Sequence, residues 1–260
     1  MSSVTSPLRL SWAQVNDIGM RAENQDNLGV ARHADLACFV VADGTGGYAG
    51  GATASKLVVD TLLAAFRAAP ACDTGALRAA IGTASANVAR ARRADPAYAE
   101  MSSTVAALVV DAAAARAVWA HLGDTRVYLF RANRLHSVTV DHSLARQLID
   151  SGYGGHVTLR GHPQRNILLG AIGAENDIAV STSEGAFALL PGDALLLCSD
   201  GLWEWIDEAQ MEAVLAVTSQ SEEWLDLMCE VADTAASATI KIRDNFSACA
   251  IRVHAADGQT

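Results

Sequence analysis

Hydrophobic and polar positions change their period along this chain. The run Ala37-Cys38-Phe39-Val40-Val41-Ala42 is short, apolar and β-prone, and it stops at Asp43-Gly44, a turn signal. That pattern predicts a buried strand. Beyond a glycine-rich stretch, Leu57, Thr61 and Ala65 alternate with Val58, Leu62 and Phe66 at intervals of four residues, and Leu77, Ile81 and Val88 keep nearly the same period. Two amphipathic helices are predicted there. The period then shortens: Thr104–Val110, Ala117–Leu122, Val127–Phe130 and Leu135–Val140 are β-prone runs between turn residues, an expected antiparallel meander. A polar, glycine-rich stretch from about Ser151 to Gly185 follows, and the segment of about 144–185 is expected to form a flap. Ala194–Cys198 is a further buried strand, Met211–Val217 and Trp224–Ala236 carry helical spacing, and Phe246–Val253 is a last strand. Helices in two groups around antiparallel strands predict an α+β layered fold, two sheets packed between helix layers.

The chain shows no composition break, linker or repeat, so residues 1–260 read as one domain. Its 51% hydrophobic content suffices for a core and excludes disorder for the bulk of the chain. A formal net charge of −10 works against nucleic acid and anionic membranes, because those partners need Lys and Arg to neutralise phosphate. The five cysteines (Cys38, Cys72, Cys198, Cys229, Cys249) are widely spaced without C-x-x-C, which suggests neither a disulfide framework nor a zinc site and fits a reducing cytoplasm. No uncharged apolar run approaches the ~18 residues of a membrane helix. Met1 to Trp12 lacks the apolar core of a signal peptide.

The aspartates carry the chemistry. Asp43, Asp200 and Asp244 each fall at the end or start of a predicted buried strand, and Asp26 precedes the first one in Glu23-Asn24-Gln25-Asp26-Asn27. Singly, Asp-Gly is an ordinary turn. If the strands are neighbours, however, the carboxylates converge and repel unless cations neutralise them. An all-oxygen set suits Mg²⁺ or Mn²⁺ rather than zinc. Two such ions about 3.5–4 Å apart can lower the pKa of a shared water and clamp a phosphoryl group. Arg21, five residues before Asp26, can reach the same mouth and present its planar fork to phosphate.

Taken together, Asp17-x-Gly19-x-Arg21-x-x-Asn24-Gln25-Asp26, Val41-Ala42-Asp43-Gly44-Thr45-Gly46-Gly47, Gly123-Asp124-Thr125-Arg126, Asp141-His142-Ser143, Cys198-Ser199-Asp200-Gly201-Leu202 and Asp244-Asn245 resemble, in order and over nearly the whole chain, the bacterial branch of the PP2C-type metal-dependent protein phosphatases. The resemblance implies a four-layer α-β-β-α sandwich and hydrolysis of phosphoserine and phosphothreonine. It implies that Asp43 bridges two Mn²⁺ or Mg²⁺ ions and that the Gly44 carbonyl binds one of them. Asp200 and Asp244 would complete the other ion's shell, Asp26 would hold metal-bound waters, and Asp124 with Asp200 would offer a weaker third site. Arg21 would bind the substrate phosphate, Asn245 would support the shell, and Ser143 would contact the substrate and, with the flap, shape its access. The implied partners are phosphorylated proteins, targets of a bacterial Ser/Thr kinase, met by a monomer.

The chain departs from that pattern at Thr45, where eukaryotic members place a His proposed as general acid; at Ser102, in place of a usual glycine; and in Asn166–Gly173, which lacks a polar Thr and an Arg often found there. Proton delivery would then fall to a water, with His142 the alternative. A dinucleotide loop at Gly44-x-Gly46-x-x-x-Gly50 conflicts with the adjacent Asp43. A thiolate phosphatase would use the C-x5-R spacing of Cys72 and Arg78. A catalytically silent relative would not need the complete aspartate set.

Overall fold

The computed structural model describes residues 7–45, 48–153, 158–174 and 178–256. Its chain runs β1 (Leu8–Asp17), β2 (Asp26–His33), β3 (Leu36–Thr45), α1 (Tyr48–Ala68), α2 (Thr74–Ala94), then β4 (Ser102–Ser103), β5 (Val105–Asp111), β6 (Arg116–Leu122), β7 (Arg126–Arg131) and β8 (Arg134–Val138). It continues through α3 (Leu144–Asp150), β9 (Ser181–Thr182), β10 (Phe187–Ala188), β11 (Ala194–Cys198), α4 (Asp200–Trp203), α5 (Glu208–Val217), α6 (Ser221–Ser237) and β12 (Phe246–Ala255).

One sheet has the order β1-β12-β11-β7-β8 and the other β10-β6-β5-β3-β2, with β4 on β3 and β9 on β6, and the paired strands are antiparallel. Side chains alternate across β3: Phe39 and Val41 pack with Leu108, Leu195 and Ile251 between the sheets, while Cys38, Val40 and Ala42 pack with Val58, Leu62 and Ile81 of α1 and α2. Both faces being dry, β3 reads as a continuous apolar run. Behind the other sheet, Trp203, Met211, Trp224 and Met228 cover Tyr128, Phe130 and Leu196. The expected α+β sandwich with flanking helix pairs is thus realised.

Besides the two-residue strands β4, β9 and β10, two longer strands escaped the pattern reading. β1 and β2 are edge strands, mostly half-buried or exposed, so neither face carries a clean apolar row. The flap contains α3, a helix of seven residues with only Ala145 buried. Val140 lies beyond β8 and is exposed. Gly46 and Gly47 of the strand-end motif, and part of the flap, lie outside the described residues. Among the described residues, no helix is long and apolar enough to cross a membrane.

Candidate metal centre

The first two acids meet through strand register. Asp26 opens β2 directly opposite Asp43 near the end of β3. Thr104 holds the Asp43 backbone from both sides, its Oγ1 accepting the Asp43 N–H at 3.0 Å and its own N–H donating to the Asp43 carbonyl at 2.8 Å. Gly44 has to be glycine, because a Cβ there would stand 2.0 Å from the Gly51 carbonyl oxygen. β11 ends at Cys198, so Asp200 enters from the other sheet as the first residue of α4. Asp244 precedes β12, the neighbour of β11, and Asp124 sits in the turn between β6 and β7.

Arg21, Asp43, Gly44, Asp124, Asp200, Asp244 and Asn245 line one cleft of about 310 Å³. Asp26 lies beneath it, buried, with its Oδ2 accepting a 2.6 Å hydrogen bond from Ser199 Oγ. Ser199 in turn accepts the Ser247 N–H at 2.9 Å. Ser199 occupies the N-cap position of α4 yet makes no cap bond, its hydroxyl being committed to Asp26. Pattern reading saw this serine only as part of a turn. The only available signal was a cap residue followed by Asp-Gly.

Burial pushes the Asp26 carboxyl up to about 6, moderated by the hydrogen bond from Ser199. Burial and the nearby Asp141 raise Asp124 to about 7. Asp43 and Asp200 lie well above the usual carboxylate range, first through burial and then through the charges of the other aspartates. Asp26 Oδ1 and Asp200 Oδ1 are buried with no hydrogen-bond partner. Orphaned carboxylate oxygens in a pocket of like charges are what a hard divalent cation satisfies, so the donor set fits Mg²⁺ or Mn²⁺. Among the described residues, no three His, Cys, Asp or Glu side chains already stand as a finished ligand group. One outer acid is engaged elsewhere: Asp244 Oδ2 accepts Arg21 Nη2 at 2.6 Å.

Asn245 works as a clip. Its Oδ1 accepts the Gln25 N–H at 2.9 Å, and its Nδ2 donates to the Ile18 and Glu23 carbonyls at 2.8 and 2.9 Å, fixing the loop that bears Arg21. Ser143 does not line the cleft. It is buried, and its Oγ accepts the Arg146 N–H at 3.3 Å as the cap of α3, so direct substrate contact is corrected to a structural role. From the flap, Asn166 and Leu168 reach the cleft instead.

A family profile described as "Protein phosphatase 2C" matches residues 17–241. This chain belongs to the protein phosphatase 2C family. It is 33% identical over 221 residues to the serine/threonine phosphatase Stp of Listeria welshimeri, covering 83% of this chain and 86% of Stp. The catalytic domain of the serine/threonine protein phosphatase PstP, solved with two manganese ions, superimposes with a TM-score of 0.79 at 26% identity, covering 95% of this chain and 99% of that one. The Ser-Thr phosphatase MsPP of Mycobacterium smegmatis, solved with cacodylate, gives 0.74 at 30% identity with the same coverage.

Against this 2C-family background, two of the three departures turn out to be partners. Thr45 and Ser102 face each other across β3 and β4, and their hydroxyls lie 2.6 Å apart at the cleft wall. His142 is held away from the cleft: Nδ1 accepts the Gly123 N–H at 3.1 Å, Nε2 meets Ser181 Oγ at 2.9 Å, and the ring stacks on His121 at 4.6 Å. The rivals fade on similar grounds. β3 and α1 feed an antiparallel sheet rather than a parallel βαβ unit. Burial pushes the Cys72 thiol up to about 11, opposite to the need of a thiolate nucleophile.

Proposed function

We propose that this protein is a metal-dependent serine/threonine phosphoprotein phosphatase whose residues 1–260 act as one domain. The reading rests on the convergence of Asp43, Asp124, Asp200 and Asp244 with Arg21 on one cleft, above the buried Asp26. Asp43, the Gly44 carbonyl, Asp200 and Asp244 would hold two Mn²⁺ or Mg²⁺ ions, and Asp124 with Asp200 would offer a weaker third position. The manganese pair of PstP and the oxyanion bound by MsPP support this assignment.

Bound there, two divalent ions lower the pKa of a shared water and neutralise phosphate charge. The chain's residues orient that chemistry. Asp26, braced by Ser199, accepts hydrogen bonds from water at the site and fixes the line of attack. Asp244 Oδ2 holds the Arg21 guanidinium, and a cation sharing that carboxylate would weaken the pair and leave the fork freer to turn to phosphate. Arg21, half exposed at the rim, then takes the non-bridging oxygens of the substrate phosphate with its planar fork. No histidine lines the cleft among the described residues, and the leaving serine or threonine oxygen takes its proton from water.

The substrates in this reading are phosphoproteins made by a bacterial Ser/Thr kinase, met by a monomer in the cytoplasm, in keeping with five free cysteines. The test is phosphate release from a phosphothreonine peptide with Mn²⁺. EDTA and Asp43→Asn should each abolish it, and Cys72→Ser should not. Full turnover by Asp43→Asn, or indifference to EDTA with loss in Cys72→Ser, refutes the proposal.

A further inference from the structure

Four large, exposed apolar side chains sit on two joined loops beside the cleft: Ile18 and Met20 just before Arg21, and Ile240 and Ile242 just before Asp244. The Met20 N–H donates to the Arg243 carbonyl at 3.0 Å, Asn245 Nδ2 donates to the Ile18 carbonyl at 2.8 Å, and a Cβ on Gly19 would lie 2.2 Å from the Asp244 carbonyl oxygen. The loops therefore form one wall with Arg21 and Asp244 at its cleft edge. Single exposed apolar residues are ordinary, but a joined group marks an interaction surface.

Along this wall, against the end of α6, runs a groove of about 570 Å³, larger than the 310 Å³ cleft. Met20 and Ile240 flank it, and Ala236 and Phe246 contribute buried apolar surface. Its cations are paired: Arg243 pairs with Asp233 and lies 3.8 Å over the Phe246 ring, with Nη2 left over, and Lys241 pairs with Glu204. Asp17 accepts the Gly19 N–H at 2.7 Å. Asp17 and Asp233 balance Lys241 and Arg243, so the groove carries no net charge to draw a second phosphate or a basic side chain, and its apolar part is continuous with the loop that carries Arg21.

We infer that this groove receives an apolar side chain of the phosphoprotein substrate, from the chain flanking the phosphorylated residue. The inference rests on the phosphatase reading. A substrate whose phosphate sits at Arg21 must lead its flanking chain over an edge of the cleft, and this edge ends in a groove of side-chain size.

The test walks a single Leu through positions on both sides of phosphothreonine in a Gly/Ser peptide, with Mn²⁺, beside p-nitrophenyl phosphate, which has no flanking residues. The wild-type protein should favour Leu at one position by about five- to tenfold in kcat/KM. Ile240→Ser should lose that preference while keeping its turnover of p-nitrophenyl phosphate, and Ile240→Leu should retain both. A flat Leu profile in the wild-type protein, or an equal loss on both substrates in Ile240→Ser, overturns the inference. So does Ile240→Ser that changes sedimentation but leaves the profile intact, which would make the wall a self-association face. Failure of the wild-type protein to turn over either substrate would instead bring down the phosphatase reading.

Discussion

The floor of the cleft is carried by paired strands, whereas its lip is carried by a clipped loop. On the floor, Asp26 and Asp43 are fixed by β2–β3 register, Thr104 grips the Asp43 backbone, and Ser199 binds Asp26. At the lip, Arg21 and Asp244 keep side-chain exposures of 52% and 35% and depend on Asn245 for their framework. Floor carboxylates are buried and repel one another; lip groups are solvated and can exchange partners. A site that must grip cations yet let substrates come and go benefits from this division. Rigid strands hold the charges whose geometry matters, and a solvated arginine costs little to redirect.

The sharpest way to break the comparison is Asp43→Asn. Turnover should fall by about a thousandfold or more, since the shared ligand is lost. Without metal the same variant should be more stable than the parent by about 1–2 kcal/mol, because a buried, repelled carboxylate is gone. Denaturant unfolding in EDTA measures this, and a less stable variant would show that the floor is not strained by its charges.

Arg21→Ala probes the lip. The kcat/KM for a phosphopeptide should drop about ten- to hundredfold through loss of a charge-assisted fork, with Mn²⁺ affinity by calorimetry retained or raised, since Asp244 loses a competing partner. Parallel loss of metal affinity would erase the distinction between floor and lip. Ser199→Ala should do the reverse, weakening Mn²⁺ binding about tenfold while leaving the affinity for a phosphate-sized inhibitor, measured at saturating metal, within about twofold.

The smallest effect is expected from pH. Asp26 and Asp124 are raised from 3.8 to about 6 and about 7 in the folded protein, so they bind protons that the unfolded chain has already released. Metal-free stability from these groups is full below about pH 4 and declines as pH rises towards 7. Cations need the ionised carboxylates, so thermal stabilisation by Mn²⁺ should be larger at pH 7.5 than at pH 5 by several degrees. Equal shifts at both values would place the Mn²⁺-linked groups elsewhere.

Legibility in the sequence followed burial. β3, β11 and β12 are dry on both faces and announce themselves as apolar runs, and the acids at their ends are equally plain. β1 and β2 lie at sheet edges, where half the side chains meet water and the pattern dissolves, so the sequence located Asp26 without showing that it faces Asp43. Ser143 stood beside a recognisable Asp-His pair and was credited with substrate contact. Its burial and its cap bond to Arg146 depend on α3, which is too short and too exposed to register as a period. Thr45 and Ser102 were visible as separate departures, but their contact arises from the β3–β4 pairing.

The sequence by itself determined the layered α+β architecture, the family, and which acids belong to the chemistry, because strand burial and strand-end turns are written in short windows of residues. The tertiary structure decided how those acids are held: Ser199 on Asp26 across 173 positions of chain, Asn245 clipping the Arg21 loop across more than 200, and Arg21 parked on Asp244. Contacts at such separation follow from sheet order and register. Those are fixed only when the two sheets close on their shared core, and no local pattern encodes them.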